Sequence, residues 1–210
     1  MENEVLLQVK GLSFTYGEEP VLKDVNLIIR RGERIAVMGS NGAGKSTFFL
    51  NLNGVLRPDS GDILLCGSKI GKKELNLLRK KVGFVFQDAD SQIIAANVRA
   101  EISFGPMNLG LERSEVIHRV DAAVSYLGLE ELQQRAPHYL SGGEKKQVSI
   151  ADILAMEPEL LIFDEPMAAL DPMNAQRVED ILGKLHEDGK TLLVATHDVD
   201  FAWRFADRIL

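Results

Sequence analysis

Four short apolar runs punctuate the chain: Ile35-Ala-Val-Met38, Val82-Gly-Phe-Val-Phe86, Leu160-Leu-Ile-Phe163 and Leu192-Leu-Val-Ala195. None alternates with polar residues, so each predicts a strand buried on both faces, as in a parallel sheet. Earlier in the chain, Val5 to Lys10 and Val25 to Arg30 alternate in part, and Arg31-Gly32 marks a turn. They predict a small antiparallel sheet beside the parallel one. Asp62 to Leu65 predicts one more strand. From about Asp90 to Pro158 strand signals vanish. Val116, Ile117, Val120, Ala123, Val124 and Leu127 share one helical face that ends at Gly128. A second helix is expected from about Gly143 to Met156, stopped by Pro158, and another over 174–187. The pattern is that of an α/β fold with a mostly parallel sheet, an N-terminal antiparallel β subdomain and an inserted α-helical subdomain. A single domain over 1–210 is expected, with the α/β core in 1–89 and 158–210 and the helical subdomain in 90–157.

Composition narrows the class. With 210 residues, 45% apolar and 26% charged, the chain is an ordinary globular one, which excludes collagen, disulfide scaffolds and disordered tails. Its single cysteine, Cys66, cannot form an intrachain disulfide, fits a reducing compartment and is expected to be a buried small residue rather than a metal ligand. No run of 18 apolar residues spans a membrane, and the acidic start Met1-Glu-Asn-Glu4 lacks a signal-peptide pattern. A net charge of −7 argues against a nucleic-acid partner. His118, His138 and His186 lie among polar residues and are expected to be solvated.

The chemistry sits where the apolar runs end. Gly39-Ser40-Asn41-Gly42-Ala43-Gly44-Lys45-Ser46 matches G-x-x-x-x-G-K-[ST], between a strand and a helix expected from Ser46 to Asn53. The glycines let backbone N–H groups converge on phosphate oxygens, and the helix start adds partial positive charge. Lys45 would bridge β- and γ-phosphates, the Ser46 hydroxyl would ligate Mg²⁺ and Thr47 would assist at the α-phosphate. This motif makes the expected core a P-loop NTPase core. The run Leu160 to Phe163 ends in Asp164-Glu165, at the end of a strand where parallel sheets place ligands. Asp164 suits Mg²⁺ held through water and Glu165 suits a general base, although acids there also cap helices. Leu140-Ser141-Gly142-Gly143-Glu144 has capping-box spacing. Two glycines in a first turn weaken a helix by about 1 kcal/mol each, which a cap alone does not favour. Both a plain cap and a second phosphate contact fit these residues.

Taken together, Tyr16, Gly39 to Ser46, Gln87, Leu140 to Glu144, Asp164-Glu165, Leu170-Asp171 and His197 resemble, in order and over nearly the whole chain, an ATP-binding-cassette ATPase. The resemblance implies ATP and Mg²⁺ as cofactors. It implies that Tyr16 stacks on adenine, that Gln87 touches Mg²⁺ and the attacking water, that His197 contacts the γ-phosphate and that Asp171 reads an opposing subunit. It also implies a head-to-tail dimer with a second ATPase subunit, identical or different, in which Ser141, Gly142, Gly143 and Glu144 face the partner's ATP. The stretch Val85-Phe86-Gln87-Asp88-Ala89-Asp90-Ser91-Gln92 resembles ATPases of energy-coupling-factor importers of the cobalt type, as do Lys145-Lys146, Ile153 to Met156 and Thr196 to Asp200. In that branch Asp90 and Gln92 would dock an integral membrane subunit. The expected place is then the cytoplasm, peripheral on the inner face of the cell membrane. The expected work is uptake of a small substrate, a transition-metal ion such as cobalt or nickel, or a vitamin.

Four positions depart from the family pattern: Glu144 stands where Gln is commoner, Gln147 where Arg is usual, Met167 in place of Thr, and Ala169 in place of Gly or Ser. The family also continues with another strand after Ala206-Asp207-Arg208-Ile209, so a truncated C-terminal end is expected. Three other readings compete. A DNA-repair or chromosome ATPase needs a long coiled coil between Lys45 and Ser141, and no heptads occur there. A translation factor needs two cassettes. A nucleotide-gated module without turnover is disfavoured by the presence of both Glu165 and His197. A generic importer ATPase for another substrate class remains the alternative to the energy-coupling-factor type.

Overall fold

The computed structural model describes residues 4–210, so Met1 to Asn3 lie outside the described residues. In chain order the strands and helices are β1 (Val5–Tyr16), β2 (Glu19–Arg30), β3 (Arg34–Val37), α1 (Lys45–Leu52), β4 (Ser60–Leu65), β5 (Ser68–Lys69), α2 (Leu75–Lys81), β6 (Val82–Val85), α3 (Val98–Asn108), α4 (Arg113–Leu127), α5 (Gly142–Leu154), β7 (Leu160–Asp164), α6 (Pro172–Glu187), β8 (Thr191–Ala195), α7 (Val199–Phe205) and β9 (Arg208–Ile209). No helix among the described residues is long and apolar enough to cross a membrane.

The chain packs as two compact units. The first contains residues up to Phe84, Glu159–Asp164 and Leu185–Leu210. An antiparallel sheet has the order β2-β1-β4-β5. A second sheet has the order β6-β7-β8-β3-β9, with β3 parallel to β8 and β9, and β7 parallel to β8. Every residue of β7 and β8 is buried, which is why both read as unbroken apolar runs. Leu7, Ile29, Phe49, Leu52, Phe84, Ile162 and Leu193 belong to one core cluster of this unit. Strands β1 and β2 run well beyond the expected Val5 to Lys10 and Val25 to Arg30. Register shifts at Val9/Leu12, Leu12/Phe14 and Phe14/Thr15 break the alternation, and with it the sequence signal. A short strand that the sequence pattern did not mark flanks β3: β9 pairs Arg208 with Ile35 and Ile209 with Ala36.

Glu159, at the start of β7, binds Arg31 at 2.5 Å and also Lys81, so one carboxylate joins three segments at the amino end of the sheet. Cys66 is exposed, not buried, because it sits at φ +48° between β4 and β5, where its Sγ accepts from Arg31 at 3.4 Å. His186 is half-buried rather than solvated, and its Nδ1 is a buried atom.

The second unit contains Val85–Pro158 and Glu165–Lys184. Helix α4 buries Val116, Val120, Ala123, Val124 and Leu127 and ends on Gly128 in the left-handed conformation. Ile117 is 45% exposed: it sits one residue, or 100°, round from Val116 and faces away from the buried stripe. Helix α3 starts from Asn97, whose side chain accepts the Ala100 N–H at 2.8 Å. Glu101, 2% exposed, accepts the N–H groups of Ile94 at 2.9 Å and Ala95 at 2.6 Å.

Candidate functional site

In the first unit, register brings three loops to one level. Ala195 pairs with both Val37 and Asp164, so β3, β7 and β8 end side by side. Beyond Val37 comes the loop Gly39 to Gly44, at the end of β7 is Asp164, and beyond Ala195 comes His197. Gly44 has φ +91°, and a Cβ there would lie 3.1 Å from Val21 and 3.2 Å from Leu22. Strand β2 thus presses against the loop and only glycine fits. The Lys45 ammonium donates to the carbonyls of Gly39 at 2.8 Å and Ser40 at 3.2 Å. Ser40, Asn41, Gly42, Ala43 and Ser46 are exposed, whereas Thr47 is 9% exposed and starts the buried face of α1. Tyr16 is 50% exposed at the tip of β1, its ring edge-on to Phe14 at 4.9 Å. Asp164 is 6% exposed. His197 is exposed, in a loop held by Thr196 N–H donating to the Val37 carbonyl at 3.1 Å and by Asp198 capping Phe201 at 2.9 Å.

The second unit gathers a different set. Glu165, next in the chain after Asp164, is 8% exposed at φ +46°. Such backbone strain in a non-glycine residue is concentrated at functional positions. Ala169 has φ +60°, a conformation that favours glycine, one of the two residues the family pattern places there. Ser141 and Glu144 form the reciprocal capping box: Glu144 N–H donates to Ser141 Oγ at 3.3 Å and Ser141 N–H to Glu144 Oε2 at 2.7 Å. Those bonds from Ser141 hold the Glu144 carboxyl below its usual range. The two glycines differ in reason. A Cβ on Gly143 would fall 2.2 Å from Asn174 Oδ1, whereas one on Gly142 would meet nothing within 4 Å. Gly143 is therefore already required by packing, and Gly142 is the residue whose bareness suits an approaching ligand. Asn174 Nδ2 donates to Asp171 Oδ2 at 2.5 Å, and Asp171 Oδ1 accepts the N–H groups of Met173 and Asn174. Those bonds, led by Asn174, lower the Asp171 pKa. Pro172 follows as the first residue of α6, so Asp171 caps that helix.

A groove of about 310 Å³ is lined by Gln87, Asp90, Gly142, Lys145 and Leu170, among others. Gln87 is exposed. Asp90 is exposed and pairs with Lys145 at 2.6 Å. Gln92 turns inward: its Nε2 donates to the Ser149 carbonyl at 2.8 Å and to Asp152 Oδ2 at 3.1 Å, while its Oε1 accepts the Phe86 N–H at 3.2 Å. Ile94, two residues on, is 72% exposed.

Sequence reasoning missed Lys146, Asp152 and Asn174. The signal for the first was available: Lys146 and Ser149 fall at i, i+3 on the face of α5 that also buries Ile150 and Ile153. Burial raises the Asp152 carboxyl to about 7, with Glu101 adding to the shift and Gln92 opposing it. A carboxyl raised in the folded state binds more protons than the unfolded chain between pH of about 4 and about 7. Stability therefore falls as pH rises through that window and levels off above it. Asp152→Asn is expected to flatten this dependence and to raise the melting temperature at pH 8, read by thermal melts from pH 5 to pH 8.

These features define a nucleotide-binding P-loop cassette. The ABC transporter family model matches residues 22–168. An energy-coupling factor transporter ATP-binding protein, EcfA2, of Methanospirillum hungatei is 47% identical over 210 residues, covering 99% of this chain and 53% of the relative. The structure of CbiO1 from Clostridium perfringens, described as part of the ABC transporter complex CbiONQ, superposes with a TM-score of 0.88 at 41% identity, covering 99% of this chain and 84% of that one. A dimeric post-hydrolysis state of the ATP-binding cassette MJ0796, bound to ADP and Pi, superposes at 0.86 with 32% identity, covering 98% and 93%. The chain belongs to the ABC transporter family and has the fold of an ABC ATPase cassette. It spans between half and two thirds of the length of the first curated relatives it matches.

Proposed function

We propose that the chain is the ATP-hydrolysing part of an importer of the energy-coupling-factor type. The observation that carries this reading is the common level of the ends of β3, β7 and β8, which sets the phosphate loop, Asp164 and His197 at one edge of one sheet. Converging loop N–H groups, Lys45 and the α1 N-terminus hold the phosphates of ATP. Tyr16 stacks on adenine and Thr47 assists at the α-phosphate. The Ser46 hydroxyl and the Asp164 carboxylate are hard oxygen donors, which suits Mg²⁺, an ion that takes one or two protein oxygens and fills its remaining positions with water and phosphate. Ser46, Asp164 and Gln87 would hold it, and when bound it would neutralise charge on the β- and γ-phosphates. Water attacks the γ-phosphorus, the bond to the β–γ bridging oxygen breaks, and Glu165 takes the water's proton, giving ADP and phosphate. Gln87 orients that water and His197 stabilises charge on the γ-phosphate.

The bare Gly142 at the start of α5 supports a trans site. A second ATPase subunit docks head-to-tail, so Ser141, Gly142, Gly143 and Glu144 face its ATP and Asp171 reads the opposing subunit. Docking to an integral membrane subunit falls to the stretch from Asp90, with Gln92 as its internal brace. The protein then sits on the inner face of the cell membrane. The substrate class is a transition-metal ion or a vitamin, chosen by the membrane subunits; the relative named EcfA2 and the CbiO1 structure support that branch.

The test is purification from detergent-solubilised membranes with an ATPase assay. The complex is expected to contain a polytopic membrane subunit and to hydrolyse ATP in the presence of Mg²⁺. Exchanging Asp90 and Gln92 for Ala together is expected to release that subunit while ATP affinity stays within about twofold. Retained assembly overturns the docking role, and absent hydrolysis overturns the function.

A further inference from the structure

Lys146 is 2% exposed, yet it carries a charge into the packed face of α5. Its Nζ donates to the carbonyl oxygens of Phe86 at 2.9 Å and Gln87 at 2.7 Å. A buried ammonium is tolerated only where its donors are used, and charge-assisted bonds of this kind are the strong ones. Neighbouring contacts repeat the connection along the same helix. Lys145 pairs with Asp90, and Gln92 reaches the Ser149 carbonyl and Asp152, a turn and two turns further on. The charge of Lys146 is felt locally: Asp88 lies below the usual carboxylate range through the Ser91 hydroxyl and the Asp90 N–H first, then through Lys146 and Lys145. The segment Phe86 to Gln92 is thus laced to successive turns of the helix that opens with Ser141-Gly142-Gly143.

We propose that Lys146 is a positioning residue for hydrolysis: by holding the Phe86 and Gln87 carbonyls on α5, it makes the Gln87 side chain and the Ser141 end of α5 move as one body. Closing the trans contact on a partner's ATP then also sets Gln87 at this subunit's own attacking water. The two half-sites of a dimer are linked in this way through α5 of each subunit. Lys146 acts through the Phe86 and Gln87 carbonyls, so its effect falls on geometry in the reacting state and not on ATP binding. The link between Lys146 and the loop is one of distance and burial, but its catalytic consequence rests on the ATPase reading given above.

The experiment compares the wild-type chain in its assembled complex with Lys146→Met, which keeps the apolar stem and removes the donors, and Lys146→Arg, which restores them. Steady-state ATP hydrolysis and amide hydrogen exchange over 87–92 are measured, with Glu165→Gln assayed alongside. Lys146→Met is expected to lower kcat about tenfold, or about 1.4 kcal/mol, with KM for ATP within about twofold. Exchange over 87–92 is expected to accelerate, and Lys146→Arg is expected to recover much of the lost kcat. A kcat within about twofold of wild type, or a rise in KM that accounts for the loss, overturns the inference. Should Lys146→Met fail to fold, Lys146→Gln, with a donor on a shorter stem, carries the same comparison against Lys146→Arg. If Glu165→Gln leaves hydrolysis intact, the ATPase reading itself falls; if Glu165→Gln abolishes it and Lys146→Met does not lower it, only the positioning role falls.

Discussion

Glu165→Gln is expected to lower steady-state ATP hydrolysis by about 10²–10⁴-fold, the range spanned by positioned general bases. The substitution keeps the shape of a side chain that is only 8% exposed, and it introduces no volume change in the turn after β7. It removes the carboxylate to which the proposed reaction assigns the proton of the attacking water, and an amide cannot take that role. It also removes a negative charge from a site meant to hold a polyanion. ATP binding is therefore expected to be retained or tightened, and the ATP-bound dimer to accumulate. Phosphate release in steady state and size-exclusion chromatography with Mg-ATP read the two effects. Unchanged turnover overturns the general-base assignment. Lost turnover with a monomer throughout overturns the trans site.

Gly143→Ala is the second large effect. Its Cβ would lie 2.2 Å from Asn174 Oδ1 and 2.3 Å from the Asn174 carboxamide carbon. Asn174 cannot yield cheaply, because its Nδ2 is bonded to Asp171 Oδ2 and its N–H to Asp171 Oδ1. Relief requires either a shift of α5 or loss of the Asp171 cap on α6. Overpacking of this kind costs about 1–3 kcal/mol, and a shift of about 1 Å in the proposed trans contact is expected to lower the rate about 10²-fold. Gly142→Ala is the control: with nothing within 4 Å, it is expected to leave stability unchanged or raise it by up to about 1 kcal/mol. Chemical denaturation separates the two. A Gly143→Ala protein as stable as wild type removes the steric argument.

Most of the frame was legible because parallel strands buried on both faces leave an unmistakable signal, as Leu160 to Asp164 and Thr191 to Ala195 do. The phosphate loop was legible for a related reason: its glycine at position 44 has no substitute beside Val21 and Leu22. The antiparallel sheet was only half legible, since register shifts after Val9 scramble the two-residue period that reveals a strand. Cys66 misled because a small thiol is usually buried, and only the turn geometry between β4 and β5 puts it outside. The spacing of Lys146 on α5 marked its burial, but the partners of Lys146 and Asp152 were illegible for a deeper reason. A charged residue on an amphipathic helix reads as solvent-facing until the partner segment is known. Here the partner is Phe86 to Gln92, more than fifty residues earlier in the chain.

The shared register of Val37, Asp164 and Ala195 has one more consequence, for how this protein tolerates change. Side chains alternate faces along a strand, so gaining or losing one residue within β3, β7 or β8 turns everything beyond it to the opposite side and shifts it by about 3.3 Å. Swapping Ile162 for Val leaves that ruler intact, whereas deleting it puts Asp164 out of step with its neighbours. Like-for-like apolar substitutions within these strands are therefore expected to be tolerated, whereas adding or deleting a residue in any of the three is expected to displace what stands at its tip.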